Sequence, residues 1–113
     1  MGKYLNKKTS YKGVVYDSKH EAEIAYRLEM LQRAGDIRNL ERQRRFKLQQ
    51  SFKVNGKTER PITYIADFYY YDNNKNHWVV VDAKSVMTKR LPVYRIKKKL
   101  FEYKYRDIEF IEL

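Results

Sequence analysis

The stretch PITYIADFYYYDNNKNHWVVVDAKS, residues 61–85, decides the fold. Two runs rich in Ile, Thr, Tyr, Phe and Val are residues that favour strands. They are joined by DNNKNH (72–77), a run of turn formers. Pro61 sits where a strand can begin without losing a ladder donor. The reading is two consecutive strands paired antiparallel. The unbroken apolar run WVVV (78–81) predicts that the second strand is covered on both faces.

Helices are predicted on either side of this hairpin. Upstream, Ser18 followed by Glu21 is a capping box that opens a helix. Ala22, Ile24, Ala25, Leu28, Leu31 and Ala34 carry its 3.6-residue period, and Gly35 ends it. Gly13–Tyr16 reads as a short edge strand. Residues 36–55 read as basic, extended chain in one strand or two, and Asn55-Gly56 marks a turn. Downstream, Pro92 starts a helix running to about Tyr105, with Val93, Ile96, Leu100 and Tyr103 on the face expected to pack. IEFIEL closes the chain as a strand expected to join the sheet in parallel. The fold class is α/β: a single domain with a central mixed β-sheet and a helix on each side. Residues 1–12 are expected to be a basic N-terminal arm, and 13–113 the domain.

Composition narrows the function. The chain has 113 residues with 25 Lys+Arg against 14 Asp+Glu, a formal charge of +11. That excess points to a polyanion, nucleic acid first and an acidic membrane second. The 17 aromatic residues (11 Tyr, 5 Phe and 1 Trp) argue against disorder. With no Cys, disulfides, thiolate nucleophiles and Cys-built zinc sites are excluded. His20 and His77 leave little material for a His-built site. No apolar run has the length of a membrane span, and MGKYLNKKTS has no apolar core of a secretion signal. The expected compartment is the cytoplasm.

Two strand positions carry chemistry. Asp67 lies amid aromatic and aliphatic residues in a central strand, where a carboxylate is costly unless paired or bound to a cation. Asp82 and Lys84 are two apart on the next strand and so share a face. Antiparallel pairing brings Asp67 and Asp82 together if the register sets them opposite each other. A divalent cation relieves their repulsion, and Mg²⁺, with Mn²⁺ as a substitute, favours such oxygen ligands. The expected ligands are Asp67, Asp82 and the Ala83 carbonyl. Lys84 beside them can orient water or stabilise charge developing on a phosphate. Glu21 is a further candidate ligand, because it falls within the apolar arc of its helix whereas Glu23 falls outside it.

Glu21, Asp67 and Asp82-Ala83-Lys84, on a helix and two strands in that order and followed by a helix and a strand, resemble the PD-(D/E)XK nuclease superfamily. Ala66 stands where the motif's name has Pro, at a position that varies in the superfamily. Asp17-Ser18-Lys19-His20-Glu21-Ala22 at the first helix is similar to a phage-type branch of small endonucleases and Holliday-junction resolvases. The resemblance implies a restriction-endonuclease-like αβββαβ core and a Mg²⁺-dependent endonuclease with Glu21, Asp67, Asp82 and Lys84 as catalytic residues. It further implies branched DNA as substrate, a four-way junction first, cut by a homodimer in phage recombination or replication within a bacterial host cell. A small domain has little room for a base-reading element, which agrees with selection by shape.

Basic segments supply the expected DNA contacts. Residues 37–60 carry eight basic residues and two acids, and residues 84–106 carry nine and one. The candidates are Lys3, Lys7, Lys8, Lys12, Arg42, Gln43, Arg44, Lys89, Arg90, Lys97 and Lys98. The rival readings are a non-catalytic nucleic-acid-binding module, in which Asp67, Asp82 and Lys84 form an ion-pair network without metal, and a nicking or restriction-type nuclease of the same fold.

Overall fold

The hairpin at 61–85 forms the middle of the sheet. The computed structural model describes residues 8–16, 18–84 and 86–113. In chain order the elements are β1 (Thr9–Tyr11), β2 (Val14–Tyr16), α1 (Lys19–Arg33), β3 (Ile37–Gln49), β4 (Phe52–Val54), β5 (Lys57–Glu59), β6 (Ile62–Asp72), β7 (His77–Asp82), α2 (Val86–Lys89), α3 (Pro92–Lys104) and β8 (Ile108–Glu112). The main sheet has the order β3-β6-β7-β8. Strands β3, β6 and β7 pair antiparallel, and β8 joins β7 in parallel. Leaving aside the two small hairpins and the single turn α2, the order is αβββαβ. No helix among the described residues is long and apolar enough to cross a membrane.

Local chemistry explains the ends of α1. The Ser18 hydroxyl accepts the Glu21 amide at 3.1 Å, satisfying one otherwise unpaired N–H of the first turn. At the other end Gly35 takes φ +85°, its amide donates to Gln32, and the Asp36 amide donates to Leu31. This pair of bonds closes the helix in a Schellman turn, which needs the left-handed residue that glycine provides. Ala22, Ile24, Ala25 and Leu28 then face the sheet.

Each face of the sheet has its own core. On one side α1 packs its apolar stripe on Phe68, Tyr70, Val79 and Val81. On the other, Phe101 of α3 meets Phe46, Tyr64, Ala66, Tyr69 and Val80. The apolar run of β7 is buried on both faces, as a central strand requires.

Two expectations are corrected. The packing face of α3 is Tyr94 and Phe101, while Val93, Ile96, Leu100 and Tyr103 are exposed. Both sets have helical spacing, and the aromatic one wins because Phe101 nests edge-on and stacked among Phe46, Tyr64, Tyr105 and Phe110. Next, residues 9–11 are not a free arm: they form β1, paired with β2 across a turn at Lys12 and Gly13. Lys3 and Lys7 of the expected arm lie outside the described residues. The turn expected at Asn55-Gly56 is present and closes a separate hairpin, β4–β5, with Asn55 at φ 52° and Gly56 at φ 76°. Two successive positive φ values are the signature of a type I′ turn.

Candidate functional site

The alternation of side chains breaks at Asp67. Tyr64 and Ala66 face α3, whereas Phe68 and Tyr70 face α1. The neighbouring strand breaks at the opposing residue, Gln43. Arg42 reaches Tyr16 and Glu21 on the α1 side, and Arg44 covers Phe46 and Tyr69 on the other. Gln43 itself has φ 56°, a left-handed conformation uncommon for a residue with a Cβ. Register is kept on both sides of the break, at Arg42–Phe68 and Arg44–Ala66. The distortion is therefore a local twist that re-aims two side chains. It turns the Gln43 amide to Asp67 Oδ1, at 3.4 Å.

Beside this break β6 and β7 part. Their pairing ends at Phe68–Val81, while β7 runs one residue further against β8 at Asp82–Glu112. One more step of the β6–β7 register sets Asp67 against Asp82. The Asp67 carboxylate bridges the opening, with Oδ2 accepting the Ala83 amide at 2.8 Å. Asp82 has no exposure at all. Its Oδ2 accepts the Tyr64 hydroxyl at 2.5 Å. Its Oδ1 lies 3.1 Å from the Lys84 ammonium but receives no hydrogen bond.

The electrostatics follow from this crowding. Burial pushes the Asp67 carboxyl up to about 8, the adjoining Asp82 carboxyl adds to the rise, and the Ala83 amide opposes it. Burial and then the Asp82 charge raise the Tyr64 hydroxyl far above its ordinary value, so it acts only as a donor. Tyr94 is held the same way, by burial and by its 2.5 Å bond to Glu112. The ring of Tyr94 also lies 5.4 Å from the Lys84 ammonium.

Thus Asp67, Asp82, Ala83 and Lys84 are brought together. Glu21 is buried at the inner face of α1 and lies 3.8 Å from Arg42. Its charge adds to the rise at Asp67. Among the described residues, no three Asp, Glu or His side chains converge as a ready metal cage. Two carboxylates still suit Mg²⁺, which keeps several waters and takes one or two protein carboxylates. The hard-oxygen donor set of two adjoining buried carboxylates fits such an ion.

The expected DNA contacts have varied surroundings. Gln43 is exposed, and its amide reaches Asp67 Oδ1. Arg42 is engaged by Glu21 and Tyr16, Arg44 by Glu41, and Lys12 by Glu29. Lys98 pairs with Glu102 and lies over Phe110. Lys8 and Arg90 are exposed, and Lys89 and Lys97 half-buried. Tyr64, Tyr94 and Glu112 were not foreseen around the site. Period-two alternation places Tyr64 on the face opposite Asp67, so only the break at Asp67 lets both meet Asp82. Glu112 could be found only from the β7–β8 register.

Comparison with curated proteins and with solved structures gave no match. The family described as "Protein of unknown function (DUF1064)" matches over residues 1–112, and the chain belongs to that family.

Proposed function

We propose that the protein is a metal-dependent endonuclease that hydrolyses DNA phosphodiester bonds, selects branched DNA by its shape, and acts on four-way junctions as a homodimer. The observation that supports this most is the buried Asp67–Asp82 pair with the Lys84 ammonium 3.1 Å from Asp82 Oδ1. Asp67, Asp82, the Ala83 carbonyl and Glu21 would hold Mg²⁺ or Mn²⁺. The bound ion supplies Lewis-acid stabilisation of phosphate charge and an acidic water. Tyr64 fixes the Asp82 carboxylate by its hydrogen bond. The Ala83 amide and Gln43 fix Asp67. Lys84 holds a positive charge beside the reacting phosphate and is placed to orient the attacking water. The PD-(D/E)XK resemblance and the αβββαβ order agree with this reading, as does the charge of +11. Its setting would be phage recombination or replication in the cytoplasm of a bacterial host cell.

A second reading has its own support. Because Lys84 already compensates Asp82, and because no three-acid cage stands among the described residues, the network is also consistent with a DNA-binding module without catalysis. A nicking or restriction-type nuclease would differ only in substrate.

The test is cleavage of labelled four-way junction, fork, duplex and single strand in Mg²⁺ by wild type and Asp82→Asn, with melting curves alongside. The nuclease reading expects paired symmetric nicks on the junction, lost by at least a hundredfold in Asp82→Asn. It also expects a Mg²⁺-dependent rise in melting temperature that the variant lacks. Equal cutting of plain duplex removes the junction preference. Binding without cutting in either metal assigns the protein to the module reading. In that case Lys84→Ala should cost about 3–5 kcal/mol of stability, because Asp82 is left buried without a counter-charge.

A further inference from the structure

A cavity of about 290 Å³ lies between α2, α3 and the end of β8. Four cations line it, Lys89 of α2 and Arg95, Lys98 and Lys99 of α3. Two acids, Glu102 and Glu112, share its walls, and both are already engaged. Glu102 lies 3.5 Å from Lys98, and Glu112 accepts the Tyr94 hydroxyl at 2.5 Å. Lys89, Arg95 and Lys99 have no ion-pair partner among the described residues. Three like charges around one space repel, and an anion between them relieves the repulsion. A volume at the low end of ligand pockets, about 300 Å³, suits a compact group rather than a whole nucleotide. The Arg95 guanidinium is a planar fork that matches phosphate with two parallel bonds, and the lysines add point charges.

We infer that this cavity is a second phosphate subsite, which holds a backbone phosphate of the strand whose neighbouring phosphate lies at Asp82 and Lys84. Tyr94 ties the two positions together. It forms a wall of the cavity, and its ring lies 5.4 Å from the Lys84 ammonium. Asp82 and Glu112 are level on β7 and β8, so the cavity stands at the same end of the sheet as the carboxylates. A polymer with regularly spaced phosphates fills both positions at once, and its second contact is then intramolecular. A lipid headgroup with a single phosphate fills only one. The inference deepens the proposed function by adding Arg95 and Lys99, which were not among the expected DNA contacts. It rests on that reading for the role of Asp82 and Lys84.

The test begins without metal, so that cleavage plays no part. A short DNA duplex is titrated in EDTA at several salt concentrations against wild type and the double variant Arg95→Gln/Lys99→Gln. Both side chains are exposed, so melting should be unchanged. Affinity should fall about tenfold, and the slope of log K against log salt should shrink by about 1, because the two side chains share one phosphate. A change of about 2 gives each side chain its own phosphate on an open surface and overturns the inference, as does an unchanged slope. The Arg95 Nε–H resonance should shift on adding thymidine 3′,5′-bisphosphate and stay in place with thymidine; a resonance unmoved by both also overturns it. Phosphatidylserine vesicles bound by wild type and released by the variant, with duplex binding equal in the two, assign the cavity to lipid and overturn it too. Cleavage in Mg²⁺ then separates the two readings: the variant should raise KM about tenfold and leave kcat within about twofold. A wild type that binds DNA as expected but cuts nothing leaves the subsite standing and fails the nuclease reading. A nuclease whose KM ignores the variant does the converse.

Discussion

At the scale of single residues, Asp67 couples the site to pH. Its carboxyl titrates near 8 in the folded protein, because burial and the adjoining Asp82 resist its ionisation. In the unfolded chain an aspartate titrates near 3.9. Between those values the folded state binds the extra proton, so stability is full at the acid end and falls as pH rises through about 8. The slope can reach ~1.4 kcal/mol per pH unit while one whole proton separates the states. The metal-free protein should therefore melt at a lower temperature at pH 8 than at pH 5. In Asp67→Asn this dependence should flatten. A wild-type melting temperature that rises across the window would mean that Asp67 is ionised throughout. Added Mg²⁺ should recover stability at the alkaline end, where the carboxylates are free to bind it.

At the scale of elements, the telling feature is the paired break at Gln43 and Asp67. A left-handed φ of 56° at a glutamine costs on the order of 1–2 kcal/mol, and it is held because strands on both sides keep their register. Gln43→Gly relieves that strain but removes the amide that reaches Asp67. The expected outcome is a variant as stable as wild type or more so, with cleavage reduced about tenfold. Thermal melting and single-turnover cutting measured together check this. A variant both less stable and fully active would show that the twist serves packing alone. Ser18 and Gly35 play the simpler parts, closing the two ends of α1 so that Glu21 enters the core from its first turn.

At the scale of the molecule, the shape is extended. The radius of gyration is 15.9 Å, against about 13 Å for a compact domain of 100 residues. The β4–β5 hairpin contributes to this. All of its residues are exposed, Phe52 and Val54 included, and it emerges from the end of the sheet at which Asp67 and Asp82 lie. Residues 45–60 carry five basic side chains and one acid. A two-stranded ribbon fits a DNA groove, and this one stands roughly 17 Å along β6 from Asp67 at ~3.4 Å per residue. Replacing Lys53 and Lys57 together by Ala should weaken DNA binding and reduce the slope of log K against log salt by about 2, with melting unchanged. An unaltered slope would place the hairpin away from the DNA.

Much of this was legible in the chain. Strand composition, the 72–77 turn, the capping box at Ser18 and the glycine at 35 are local preferences, so they specified the elements without help from distant parts. The inward position of Glu21 and the meeting of Asp67 with Asp82 also follow from short-range periods, one helical and one of a hairpin. Three matters depended on contacts distant in sequence. Phe101, not the Val93–Tyr103 seam, faces the sheet because its neighbours Phe46, Tyr64 and Phe110 come from three separate strands. Tyr64 reaches Asp82 because both β3 and β6 lose their alternation at facing residues, which no one-strand pattern records. Asp82 lies where β6 and β7 separate while β8 still pairs, which only the register of three strands decides. A period tells which residues share a face of one element; which face is covered, and by what, depends on packing against the others.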